Sequence, residues 1–164
     1  KETDAKFKET DAKFKETDKR IKQAFELFES QWGKLMESLV EGDLLRILNE
    51  RGILVNQTST RRKGRIGGQN FEFDIIAHNG VEIVLVEVKT TLRVKHVKEF
   101  IEKLKMAKTF LPEFKNYKIY GAVAYLQEDE SSATYAQNNG LFVIRATGDS
   151  AAIINDEDFK PSIF

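Results

Sequence analysis

The chain has 164 residues, 26 basic and 26 acidic side chains, a formal net charge of zero and no cysteine. Its length suits one compact domain once a non-globular N-terminal stretch is set aside. The missing cysteines exclude disulfides and thiolate zinc sites, the charge balance argues against a generally basic nucleic-acid binder, and a reducing, cytoplasmic interior is the default compartment. No apolar run is long enough to span a bilayer, and the charged start does not resemble a secretory signal, so no membrane association is expected. A start at Lys1 rather than Met is what a fragment of a longer protein would show.

Residues 1–35 carry an internal repeat: KETDAKF twice, then KETDKRI, KQAFELF and ESQWGKL. Phe7, Phe14, Ile21, Phe28 and Leu35 recur every seven residues, with Thr3, Thr10, Thr17 and Ala24 at a weaker second seam position. The heptads predict a coiled coil that joins the protein into a homo-oligomer, with residues 1–32 as the coiled-coil helix and 33–164 as the globular domain. A solvated, frayed helix is the alternative, because so narrow an apolar stripe is marginal alone. The oligomer number does not follow from Thr at a seam.

Helical spacing continues through Phe25, Phe28, Trp32, Leu35, Met36, Leu39, Val40, Leu44, Leu45 and Leu48 until Gly52, a natural C-cap. A short strand is predicted at ILVNQ (53–57), then a Gly-rich basic loop, TSTRRKGRIGGQN (58–70). Strands follow at about 70–78 and 81–90. The Asn79-Gly80 pair between them marks a hairpin. A helix over 94–110 has Val94, Val97, Phe100, Ile101, Leu104 and Ala107 on one face, and Pro112 closes it. A strand at 117–126, a short helix at 129–138 and a strand at 141–146 complete the core, and residues 151–164 read as a covering segment. The order αβββαβαβ predicts helices around a mixed central sheet.

The hairpin carries the chemistry. It brings Asp74 alongside Glu87, and strand alternation puts Glu87 and Lys89 on the same side as Ile83 and Leu85. Charges on so apolar a face are costly unless paired or bound to metal. Two carboxylates and a lysine at one sheet edge suit a divalent cation and phosphodiester hydrolysis; a structural Lys–Glu pair is the alternative. Glu72 shares a strand face with Asp74, as an extra ligand or a solvent-facing residue. The loop bearing Arg61, Arg62, Lys63 and Arg65 suits phosphate contacts, with a solvated loop as the alternative; with Arg93 and Lys95 at the start of a helix also rich in Lys98, Lys103, Lys105 and Lys108, some of them ordinary exposed face, it could form a groove for a nucleic-acid backbone. His78 and His96 lack a partner at ligand spacing, and GRIGG lacks the setting of a nucleotide-binding loop.

This pattern, Asp74 and then Glu87-Val88-Lys89 on successive strands after an acid-bearing helix, resembles the PD-(D/E)XK nuclease superfamily. The similarity covers about residues 33–146 and is greatest to archaeal Holliday-junction resolvases and related small nuclease-like proteins. The helical acid, followed by paired leucines and a Gly, corresponds to Glu41 in EGDLLRILNERG, with Glu37 one turn earlier as its rival. Phe73 stands where the superfamily often has Pro. The resemblance implies a restriction-endonuclease-like core and a Mg²⁺ (or Mn²⁺) site built from Asp74, Glu87, the Val88 main-chain carbonyl and Glu41. It implies that Lys89 orients the attacking water and that DNA is the substrate. The whole chain also resembles an uncharacterised bacterial group that joins a coiled-coil N-terminus to this core. A catalytically inactive module for nucleic-acid or protein binding and oligomeric assembly is the other expectation.

Overall fold

The structure is a computed structural model that describes residues 2–164. The chain divides into two units, Lys1–Lys34 and Leu35–Phe164.

Helix α1 spans Glu2–Glu50. In the first unit its described residues are helical and exposed or nearly so. The seam residues Phe7, Phe14, Ile21 and Phe28 are 60–70% exposed. Ion pairs at i,i+4 spacing, Lys13–Glu9, Lys15–Asp11 and Arg20–Glu16, line the same stretch. Each has the acid on the N-terminal side, the order that suits a helix best.

In the second unit, Met36, Val40, Leu44, Ile47 and Leu48 are the buried stripe of α1. Leu35, expected on that stripe, is instead exposed. Gly52 ends the helix as its sequence position predicts. Its φ is +84°, its N–H donates to the Asn49 carbonyl, and the Ile53 N–H reaches back to Leu48. This pairing satisfies carbonyls that the helix end would otherwise leave open.

The structure corrects two expectations for the next segment. The expected strand at 53–57 does not form; Ile53 and Val55 are buried on an irregular lead-in, and only Gln57 is in a strand. The expected basic loop at 58–70 is mostly strand β1 (Gln57–Ile66), hairpinned to β2 (Gln69–His78). Gly67 and Gly68, both at positive φ, make the two-residue turn between Ile66 and its partner Gln69. Arg and Lys read as loop residues by propensity. On an edge strand, however, charge is an asset, because it discourages pairing with other chains.

β3 (Glu82–Leu92) follows the predicted Asn79-Gly80 turn, where the Asn79 side-chain oxygen accepts from the Val81 and Glu82 N–H groups. α2 (Val94–Lys105) and the short α3 (Ala107–Phe110) replace the single helix expected over 94–110; the two are separated at Met106, whose ψ is near zero. A 3₁₀ turn (Pro112–Phe114), β4 (Lys118–Glu128), α4 (Ser132–Asn138) and β5 (Phe142–Ala146) come next. The tail, expected only to cover the core, adds β6 (Ala151–Ile153) to the sheet. Asn155 anchors it, accepting from the Val143 N–H and donating to the Leu141 carbonyl.

The six strands form one mixed sheet in chain order, β1 to β6. β1, β2 and β3 are antiparallel, β3, β4 and β5 parallel, and β6 antiparallel to β5. The α1 stripe packs on one face, against Ile75, Ala77, Val84, Val86 and Ala122. α2, α3 and α4 cover the other, against Phe73, Ile83, Leu85 and Val123. Strands β3 and β4, covered on both faces, therefore read as apolar runs. Among the described residues, no helix is long and apolar enough to cross a membrane.

Candidate active site

The sheet opens at Asp74. The β2–β3 ladder runs from His78↔Ile83 to Ile75↔Val86 and then stops, so the next opposed positions would be Asp74 and Glu87. On the other side the β1–β2 ladder skips one pair, between Thr60↔Ile75 and Arg62↔Phe73. The skipped residue, Arg61, has a φ of +53°, an uncommon conformation for a non-glycine residue. The pleat is interrupted here as well: Phe73 and Ile76 pack on the α2 face, Ile75 on the α1 face. One carboxylate sits in the gap. Its Oδ2 accepts the Val88 N–H at 2.7 Å, a group β2 no longer pairs. Burial, and then the charge of Glu87, raise the Asp74 carboxyl to about 6, against lowering by that hydrogen bond, Lys103 and Lys89.

Glu87 is buried, with 8% of its surface exposed. Its Oε2 lies 2.9 Å from Lys103 Nζ and its Oε1 3.9 Å from Lys89 Nζ. Asp74, Glu87 and Lys89 lie near enough that the charges of Glu87 and Lys89 both act on the Asp74 carboxyl. Lys103 is the residue the sequence reading missed as a member of this group. It reaches in from α2, donates also to the Glu72 carbonyl at 2.8 Å, and holds its ammonium 5.4 Å from the centre of the Phe73 ring. Its signal was helical phase, since position 103 lies three after Phe100 and four before Ala107, both buried.

Of the two helical acids, Glu37 is the one near enough to Asp74 to feel its charge. Burial raises its pKa, and the Asp74 carboxylate adds to the rise, while Arg61 opposes it. Its Oε2 is 3.5 Å from the Arg61 guanidinium, and its Oε1 is buried with no hydrogen-bond partner among the described residues. Glu41, one turn on and favoured by the sequence pattern, is half-buried and makes no hydrogen bond or ion pair among the described residues. Glu72 is exposed and meets Lys103 only through its main chain.

The basic residues separate into two kinds. Arg61, Arg62 and Arg93 pair with Glu37, Glu113 and Asp129. Lys63, Arg65 and Lys95 are exposed and join no ion pair among the described residues. His96, given no role from sequence, accepts the Arg93 N–H through Nδ1 at the start of α2. Burial lowers its pKa, and Lys89 and Lys95 lower it further.

The side-chain donors here are carboxylate oxygens, the kind a hard divalent cation prefers. Asp74 and Glu87 repel one another, and Glu37 has a buried oxygen with no partner among the described residues. Among the described residues, no three His, Asp or Glu side chains converge closely enough to enclose an ion by themselves. Main-chain oxygen and water would have to complete the shell.

Residues 45–153 match a family described as a domain of unknown function, DUF8196. No curated protein matches the chain. Among solved structures, a protein of unknown function, AF1548, is 16% identical at a TM-score of 0.44 and covers 61% of this chain and 53% of its own. A repair endonuclease from Pyrococcus abyssi is 19% identical at a TM-score of 0.42, over 65% of this chain and 45% of its own. EndoMS in its apo form is 11% identical at 0.39, over 66% and 45%. The chain spans about half the length of the structures it matches, and likenesses this loose carry no argument about its chemistry.

Proposed function

We propose that this chain, which belongs to the DUF8196 domain family, is a metal-dependent DNA endonuclease that hydrolyses phosphodiester bonds. The observation that carries the reading is the meeting of Asp74 and Glu87 where β2 parts from β3, with Lys89 beside them. An acid pair held this close against mutual repulsion is a costly arrangement for a purely structural site. The resemblance to PD-(D/E)XK nucleases, drawn from the same residues, gives the cost a purpose.

Asp74 and Glu87 would hold Mg²⁺ or Mn²⁺, with the Val88 carbonyl as the main-chain donor. Glu37 is the better-supported helical acid, by its nearness to Asp74, and Glu41 is the one the sequence pattern favours. When bound, such an ion supplies Lewis-acid polarisation of a phosphoryl oxygen and a bound water of lowered pKa. Lys89, 39% exposed at its side chain, is free to orient the attacking water and offset developing negative charge. Arg61, Arg62, Lys63, Arg65, Arg93 and Lys95 would contact the DNA backbone, most directly Lys63, Arg65 and Lys95, which join no ion pair among the described residues.

The second reading, a catalytically inactive module, is favoured by the Glu87–Lys103 contact at 2.9 Å, which is what a satisfied structural pair looks like. Calorimetric titration with Mn²⁺ separates the two. Site-specific binding that is lost in Glu87→Gln supports the metal site, and no specific heat in the wild type leaves the structural pair.

The exposed seam of Phe7, Phe14, Ile21 and Phe28 supports a coiled-coil homo-oligomer, which would place two sites on one DNA for double-strand or branched cutting. Sedimentation equilibrium should give a multiple of the 18.8 kDa chain mass for the full chain and a monomer for one lacking residues 1–30. An unchanged oligomer number would remove the heptads as the joining element.

A further inference from the structure

The heptads of the first unit carry their charges in a fixed pattern. With Phe7, Phe14, Ile21 and Phe28 at the a positions of the heptad, Thr10 and Thr17 fall at d. The flanking g positions are then Lys6, Lys13 and Arg20, and the flanking e positions Asp4, Asp11 and Asp18. One flank of the seam is basic and the other acidic, and all of these charged side chains are exposed. Lys13, Arg20 and Asp11 also make i,i+4 pairs on their own helix. An ammonium, a guanidinium and a carboxylate each keep capacity for a second partner.

Further along the helix the flanks turn apolar. Phe25 and Trp32 stand at e and Leu27 at g, all exposed. Trp32 stacks on Phe28 with ring centres 6.1 Å apart and planes 14° from parallel. Together with Ile21 they form an apolar face that no described residue covers. Large apolar side chains gathered on one face, unlike single ones scattered over a surface, mark a place where another chain docks.

We propose that this helix pairs with the same helix of a second copy of the chain, parallel and in register. In a parallel pair each g residue faces the e residue of the other copy's next heptad. Lys6 then meets Asp11, Lys13 meets Asp18 and Leu27 meets Trp32, each pair formed twice. An antiparallel pair faces g with g and e with e, which sets lysine against lysine and aspartate against aspartate. Its one advantage, a Phe layer packed on a Thr layer, is outweighed by like charges along both flanks. A parallel slip by one heptad would face Lys13 and Arg20 of one copy with Phe25 and Trp32 of the other and shorten the seam. The orientation rests on the coiled-coil reading and is independent of the hydrolytic one. By chain connectivity, it makes the second units of both copies continue from the same end of the seam.

The chain has no cysteine, so a single introduced thiol reports on the pairing. In the full chain, Thr10→Cys should crosslink to itself almost completely in a glutathione redox buffer, because the parallel seam sets position 10 of one copy beside position 10 of the other. Antiparallel overlap of the same heptads would hold them about 16 Å apart, at about 1.5 Å per residue, beyond the roughly 7 Å a disulfide can span. Asp11→Lys with Asp18→Lys should weaken self-association about fiftyfold by sedimentation equilibrium, because each attractive flank pair becomes a repulsive one. Ala5→Lys with Ala12→Lys, at positions that face away from the seam, should change it less than about threefold. An oligomer in which Thr10→Cys stays reduced overturns the orientation and keeps the coiled coil. So does one in which the aspartate replacements weaken association no more than the alanine ones. A monomeric wild type removes the coiled coil, and the orientation with it.

Discussion

Asp74→Ala should lower Mg²⁺-dependent nicking of supercoiled plasmid at least about a thousandfold, the size expected when a group that stabilises charge in the reaction is removed. The chain should stay folded. Asp74 is half-buried, and among the described residues its one hydrogen bond is from the Val88 N–H. Losing that acceptor removes a modest stabilising interaction, about 1 kcal/mol, and also relieves repulsion with Glu87. Lys89→Ala should be as severe in rate and milder still in stability, since its side chain is 39% exposed and its nearest acid is 3.9 Å away. Thermal unfolding of each variant separates impaired chemistry from an impaired fold. Nicking at equal rates by the wild type and both variants would show that the activity comes from elsewhere.

These residues could be placed from sequence because a hairpin has little freedom. Asn79-Gly80 sets the turn, and the observed register from His78↔Ile83 to Ile75↔Val86 leaves Asp74 and Glu87 opposed at its open end. Alternation then puts Lys89 beside Glu87. Lys103 escaped because its partners lie sixteen and thirty-one residues away, and a lysine on a basic helix reads first as solvated. Glu37 and Glu41 share a helical face, so periodicity cannot choose between them. The choice depends on which turn of α1 passes the gap beside Asp74, a matter of tertiary packing. β1 escaped for a different reason. Its arginines and lysines are poor strand formers, and only the partner β2 and the Gly67-Gly68 turn make it a strand.

The same gap predicts a pH dependence of stability. Folding raises the Asp74 carboxyl from 3.8 to about 6, chiefly by burial and then by the charge of Glu87. The folded state therefore holds a proton that the unfolded chain has released between those values. Without metal, stability should rise as pH falls through about 6 and level off below about 4, the reverse of a salt-bridged carboxylate. A shift from 3.8 to about 6 sets a ceiling of about 3 kcal/mol on the penalty at neutral pH. Asp74→Asn should remove that penalty while keeping an acceptor for Val88. Glu37, also raised, contributes with the same sign, so the informative quantity is the difference between wild type and variant. Urea unfolding in EDTA from pH 4 to 7.5 should show that difference largest at pH 7.5 and closing towards pH 4. Saturating Mg²⁺ should erase much of it at neutral pH, because a cation between Asp74 and Glu87 offsets the repulsion that burial makes expensive. Parallel wild-type and variant profiles would mean the carboxylate is already compensated within the protein. The gap at Asp74 would then be a structural feature with no need for an ion.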